Sequence, residues 1–445
     1  MKSKTRASPV GGRKLAVLTG MPGPLALIGN PNSIFVRSMA RHWHERGVKV
    51  VIVTANHWAG SDFNEDGVRV ITAERGLNPE VHAALDVVVP LVTSLESELH
   101  RTRRDRVANA LGSWEAGSEP PSLLPPIIDG IAIAAAVKRL QPVGVLGHEA
   151  FAYGIATALC TDVRRVLFAW GGDVLQFCNT SETAAAMMRS VLNQVTYVLA
   201  GSESVQRRVI DQFQVPASRA VQISLGVNRQ QFRVPTADQA LAIRRHYGIP
   251  IAAPVALNVR RLRSFWGSEV ALDALLGLAA TYSNLHVLFL GGAGTESAMA
   301  EARRRAATAG VGARFIGIDG DAPTEQVADL MSVSDVFVSL TQREEPLSLS
   351  VLQASACGSI GVVSDQATYR AALCEGWQGL LADPTSAIAV ARQVESLLDN
   401  ANARSRMRGL NERFIRDHHD EAVHMQRILR LVVGAEMAER LIPAA

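Results

Sequence analysis

Two rhythms of apolar and polar residues alternate along the chain. One is short runs of β-branched and aliphatic residues. The other is longer stretches with an apolar residue every third or fourth position. The first rhythm predicts strands at residues 14–20, 48–54, 68–71, 87–89, 143–146, 166–169, 197–200 and 220–223. The second predicts an amphipathic helix over 34–46, ended by Gly47, and another over 126–140 behind the Pro-rich stretch 120–126. A Gly/Pro/Asn loop is expected at 20–33, between the first strand and the first helix. A second array follows, with strands at 255–259, 285–290, 313–316, 336–340 and 361–364. Residues 234–251 hold a short helix between prolines and read as the connection. Strands alternating with helices predict an α/β fold of two parallel-sheet domains facing a cleft.

The pattern is most informative at 335–364. An apolar strand (335–340) leads to Glu345 and Pro346, then to an apolar, small-residue helix that ends on Gly358, then to another strand (360–364). This puts a carboxylate just beyond the C-terminal end of a strand, where parallel sheets bind ligands. The helix start around Leu347, Ser348, Leu349 and Ser350 offers backbone N–H groups and a positive dipole end, suited to phosphate.

Composition narrows the function. A chain of 445 residues with 48% hydrophobic residues can bury two cores. Its net charge of +3, with acids and bases interleaved, gives no argument for nucleic acid. Cys160, Cys178, Cys357 and Cys374 lack C-x-x-C spacing and read as reduced thiols of a cytoplasmic protein. Residues 1–13 are basic and polar, expected as a disordered tail, and the apolar run 15–18 is too short for a signal peptide. No stretch reaches the ~18 uncharged apolar residues that a spanning helix needs. The cluster from His100 to Arg106 reads first as a solvated helix face and second as a peripheral contact with an anionic membrane surface on the cytoplasmic side. His42 and His44 diverge on a helix, and His418 and His419 are adjacent, so no metal site is assigned.

Five segments in order carry a family resemblance: 33–54, Trp170-Gly171-Gly172-Asp173, 199–202 with 223–232, Asn258-Val259-Arg260-Arg261-Leu262 with Gly267, and 345–358. Together they resemble GT-B fold glycosyltransferases of the large retaining family 4. The resemblance implies a Rossmann-like acceptor domain at 14–232, a connection at 233–253, a nucleotide-sugar domain at 254–420, and a C-terminal helix at 421–445 crossing back. It implies a nucleoside diphosphate sugar as donor and a saccharide, glycolipid or small-metabolite acceptor, with no cofactor, no metal and retention of configuration. By the same resemblance Arg261 grips the diphosphate and Glu345 holds donor-sugar hydroxyls. Leu347, Ser348 and Leu349 lie against the phosphate, Gln353 two helical turns beyond Glu345 meets the ribose, and Gly29 and Asn30 line the first loop. His148, Trp170 and Asp173 line the acceptor side, and Asp173 joins Glu345 and Arg261 as a catalytic candidate.

The chain departs from the family pattern at three places. Trp266 stands where the family has Lys, Gln353 where it has a second Glu, and Asn30-Pro31 where a Gly pair is common. Plainer readings stand beside the functional ones: Glu345 paired with Arg343, Arg261 as a surface arginine, Gln353 as an ordinary helix residue, Asp173 as a cap and His148 as a structural histidine. At the level of function the alternatives are a weakly catalytic partner subunit and a GT-B phosphorylase or epimerase.

Overall fold

The computed structural model describes residues 23–55, 67–73, 124–262, 267–292, 294–343 and 345–442. Its first sheet has seven strands in the order β3-β2-β1-β4-β5-β6-β7. They are β1 (Leu25–Ile28), β2 (Val50–Ala55), β3 (Arg69–Ala73), β4 (Gly144–His148), β5 (Arg165–Ala169), β6 (Tyr197–Ala200) and β7 (Ala220–Gln222). The second sheet has six strands in the order β10-β9-β8-β11-β12-β13. They are β8 (Val255–Asn258), β9 (His286–Leu290), β10 (Phe315–Ile318), β11 (Val336–Ser339), β12 (Ile360–Ser364) and β13 (Gly379–Ala382). Every pairing between these strands is parallel. Helices cover both faces, so the central strands are buried throughout and read as unbroken apolar runs.

Two strands depart from the sequence expectation. The strand opening the first sheet is Leu25–Ile28, inside the segment expected as a loop; the strand expected at 14–20 lies outside the described residues. Four apolar residues between Pro24 and Gly29 look like a gap in a loop. Paired with both β2 and β4, they are the centre of the sheet. The edge strand β13 also went unrecognised, because its two middle residues are only half-buried and it is short. The strand expected at 87–89, the basic tail and the His100–Arg106 cluster lie outside the described residues.

The chain crosses between the sheets twice, and the crossings touch. The Val227 amide donates to the His419 carbonyl (2.7 Å), and the Glu421 amide donates to the Val227 carbonyl (3.2 Å). The helix Glu421–Val433 then lies on the first sheet. Met425, Ile428, Leu429 and Val432 are buried among Leu25, Ile52, Leu146 and Phe168, while Val423 faces solvent. The buried Glu421 accepts from Ser38 Oγ (3.0 Å) and lies 3.2 Å from His42 Nδ1, tying the tail to the first helix, Ile34–His44.

Candidate active site

Each sheet reverses its winding at one point, and a doubly wound sheet opens a crevice there, beyond the C-terminal strand ends. In the first sheet that point lies between β1 and β4, in the second between β8 and β11. The first crevice is flanked by the loops after Ile28 and His148. The second is flanked by the loop carrying Arg260 and Arg261 and the loop carrying Glu345. The two sides meet at this site: Arg343 Nη1 donates to Gln176 Oε1 (3.3 Å), and Pro346 sits so near Gly171 that a Cβ there would lie 3.3 Å from its Cδ.

On the second sheet, buried Asn258 organises the turn. Its Nδ2 donates to the Val338 carbonyl (3.0 Å) and its Oδ1 accepts from the Arg260 amide (2.9 Å), bridging β8 to β11. Arg260 then reaches across the crevice. Both terminal nitrogens donate to the Glu345 carboxylate, Nη1 to Oε2 at 3.0 Å, and Nε donates to Ser339 Oγ (3.0 Å). Burial pushes the Glu345 carboxyl above its ordinary range, and the Arg260 guanidinium pulls it back. Arg343, the partner offered by the plainer reading of Glu345, is directed to the opposite domain instead.

Arg261 is half-exposed, 3.8 Å from Asp321, with its stem against Gly292. Trp266 lies outside the described residues. Glu345 lies on the loop ahead of the helix, as the sequence suggested, but Gln353 is not two helical turns beyond it on a shared face. Ser348 is the N-cap and the helix runs Leu349–Ala356, so Glu345 occupies the loop and Gln353 lies one turn into the helix. The side-chain amide of Gln353 has no hydrogen-bond partner among the described residues. Leu347 and Leu349 pack on the second core. Ser348 forms no side-chain cap; its hydroxyl pairs with Ser350 Oγ (2.9 Å), and the Leu349 and Ser350 amides have no acceptor among the described residues. Those N–H groups are the unsatisfied donors of a helix N-terminus, the kind of end that suits an anion.

On the first sheet, a Cβ on Gly29 would meet Val36 Cγ2 at 2.8 Å and His148 Cβ at 3.2 Å, so only Gly lets the loop pass this close. Asn30 Oδ1 accepts from the Asn32 amide (2.8 Å), shaping the approach to the helix Ile34–His44. His148 is buried beside the rings of Phe35, Phe168 and Trp170, at centroid distances of 5.9, 5.9 and 5.1 Å. Burial drives its pKa down to about 3, so it is neutral, and its Nε2 has no partner among the described residues. Trp170 Nε1 is likewise buried and unpartnered there.

Asp173 is buried in the π-helical turn Gly172–Gln176. Its Oδ2 accepts from the Ala150 amide (2.7 Å) and its Oδ1 from the Val174 amide (2.8 Å). Burial raises its pKa to about 8 despite those bonds. Its carboxyl therefore stitches the Trp170–Asp173 loop to the turn after β4.

Asn258 and Arg260 lie in a segment that carries the resemblance, but sequence reasoning gave neither the role it has here, and it missed Glu149. The Arg-Arg pair signalled a cation but not which of the two faces Glu345. Only the register at the end of β8 decides that.

With this geometry in place, the chain's class follows. It has the GT-B fold of glycosyltransferases. It aligns with a glycosyltransferase from Rickettsia africae at a TM-score of 0.66 and 13% identity, over 95% of this chain and 100% of that one. It aligns with Anabaena Alr3699/HepE, solved with UDP and glucose, at 0.62 and 15%, over 91% and 98%. More particularly, residues 240–412, which include Arg260, Glu345 and the Leu349–Ala356 helix, match the family Glycosyl transferases group 1. Similar in sequence are D-inositol 3-phosphate glycosyltransferases. That of Corynebacterium efficiens is 32% identical over 37% of this chain and 39% of its own, and that of Acidothermus cellulolyticus 26% identical over 49% of each. The chain thus spans between about two fifths and half of the length of these relatives.

Proposed function

We propose that this protein transfers a sugar from a nucleoside diphosphate sugar to an acceptor hydroxyl, with retention of configuration and without a metal. One observation carries the reading. The residues matching the glycosyl transferases group 1 family build a cation-and-amide cradle at the switch point of the second sheet, facing the crevice of the first. As the bond between anomeric carbon and phosphate breaks, negative charge grows on the leaving diphosphate. Arg261 and the Leu349 and Ser350 amides stabilise that charge. Glu345, held as a carboxylate by Arg260, accepts hydrogen bonds from donor-sugar hydroxyls and favours the positive charge at the anomeric carbon. Gln353 meets the ribose. The acceptor attacks from the same face as the leaving phosphate, which takes the hydroxyl proton. UDP in the HepE structure supports a uridine donor as the first candidate, and the inositol phosphate enzymes support a polyol acceptor. Among the described residues no helix is long and apolar enough to cross a membrane, and we place the reaction in the cytoplasm.

A second reading, a weakly catalytic partner subunit, is favoured by the Arg260–Glu345 pair, which occupies two of the carboxylate's acceptor positions. A calorimetric screen of UDP, GDP, ADP and TDP, followed by release of nucleoside diphosphate from the matching sugar nucleotide with and without EDTA, separates the two. Binding with turnover that survives EDTA is expected. Binding without turnover supports the partner subunit, and turnover abolished by EDTA sinks the metal-free cradle.

A further inference from the structure

Glu149 carries chemistry that the donor site does not use. It is the first residue beyond β4, at the switch point of the first sheet. Its φ is +96°, a left-handed value that costs a non-glycine residue free energy and persists where the surroundings enforce it. The enforcement is visible on both sides. The Glu149 amide donates to the Phe168 carbonyl (3.0 Å), and the next amide, Ala150, donates to the buried Asp173 carboxyl (2.7 Å). The Glu149 side chain is solvent-exposed by area yet has protein on most sides, and among the described residues its carboxyl has no hydrogen-bonding or ionic partner. That crowding pushes its pKa up to about 7. The Asp173 carboxyl lies nearby, and no Lys or Arg of the described residues pairs with either acid. Close by, Phe35 and Trp170 stack at 4.7 Å beside His148, an apolar wall against which C–H groups of a polyol can lie.

We infer that Glu149 is an acceptor-binding residue that accepts hydrogen bonds from an uncharged polyhydroxy acceptor and disfavours one bearing a phosphate at that position, with Asp173 as the residue that positions it. This deepens the reading under Proposed function and rests on it. Glu149 forms no covalent bond, and the proton of the attacking hydroxyl still leaves with the diphosphate. A carboxyl without a partner among the described residues, on strained backbone in the loop that flanks the crevice, is suited to hydroxyl donors. A phosphate there would meet the Glu149 carboxyl, to which no cation is paired among the described residues.

The test uses the full chain, the sugar nucleotide found by the screen above, and two acceptor probes, myo-inositol and its 3-phosphate. Wild type is expected to use the free polyol with the higher kcat/KM. Glu149→Gln should raise the polyol KM about tenfold, the worth of one hydrogen bond to a charged group, and leave the donor KM unchanged. Glu149→Arg should shift preference toward the phosphate ester by at least about tenfold. Glu149→Gly relieves the left-handed backbone, so it should raise the melting temperature while weakening acceptor use, a combination that a purely structural role does not produce. Wild-type preference for the phosphate ester, transfer to neither probe, or variants with unchanged acceptor KM and preference would overturn the inference. Absence of any nucleotide binding by wild type would instead overturn the donor reading, and this inference with it.

Discussion

Arg260 and Glu345 form a largely buried ion pair whose members come from loops on either side of a crevice. Taking two charges out of water is costly, and the cost is offset only while each has its partner. Removing one leaves the other buried and uncompensated. Arg260→Ala is therefore expected to lower stability by about 3 kcal/mol. Arg260→Ala/Glu345→Ala should cost less than the sum of the single changes by at least about 1 kcal/mol. Urea unfolding of the four proteins gives the coupling directly, and strict additivity would show that the pair does not stabilise the fold. The Arg-Arg sequence made a cation legible at this point. The partnership was not, because Glu345 lies 85 residues away in the chain and is reached only through the pairing of β8 with β11.

The helix Leu349–Ala356 depends on its first turn. Leu349 is the first helical residue and its amide has no acceptor among the described residues. Proline is tolerated at that position, since the helix makes no use of that N–H, and Ser348 before it is already extended at φ −65°, ψ 127°. Leu349→Pro thus deletes one donor of the anion cradle and keeps the helix. Nucleoside diphosphate affinity is expected to fall about tenfold, consistent with one charge-assisted hydrogen bond, with only a small change in melting temperature. Unchanged affinity by calorimetry would remove this helix end from the phosphate site. The helix itself was legible in the apolar spacing before Gly358. So was its start, expected around Leu347 to Ser350 and observed at Leu349; the relation of Glu345 to Gln353 was not, because Pro346 and the extended Ser348 keep Glu345 off the helix and the two candidate ligands share no helix face.

At the scale of the whole molecule, buried titrating groups sit where segments distant in the chain meet. His419 lies at the crossing, its Nδ1 3.1 Å from Ser224 Oγ, and burial, with His424 and His418 adding to it, pushes its pKa down to about 3. His148 is depressed to about 3 by burial alone. Each is neutral in the folded protein and takes up a proton on unfolding below its ordinary value of 6.5. Stability from this source is full above about pH 6.5 and is lost as pH falls toward 3. Asp173 and Glu149 act in the opposite sense. Their folded pKa values are raised to about 8 and about 7, so their contribution is full at acid pH and is lost as pH rises through those values. Between about pH 4.5 and 6.5 the two pairs oppose each other, so urea unfolding from pH 3 to 9 should show stability nearly level there, falling below about pH 4.5 and falling again from about pH 6.5 to 8. His419→Asn is expected to flatten the acid side and Asp173→Asn the alkaline side. Parallel profiles in wild type and both variants would show that these groups do not titrate with folding.

The sequence alone was enough for the alternation of strands and helices, because strand and helix periodicities are local and the buried strands are unbroken apolar runs. It was enough for the strand–loop–helix pattern around Glu345 and for a helix after 421 with Ile428, Leu429 and Val432 on it; that this helix crosses back was implied only by the resemblance, and its packing on Leu25, Leu146 and Phe168 places it there. Local pattern did not disclose β1, since a four-residue strand between Pro24 and Gly29 becomes a strand only when β2 and β4 supply its hydrogen bonds. Nor did it disclose Glu149, whose left-handed backbone is imposed by Phe168 and Asp173 from other parts of the chain. Strand order, and with it the two switch points, is decided by which edges pair. Those pairings are long-range, and they alone bring Arg260 to Glu345 and set Asp173 beneath the turn that carries Glu149.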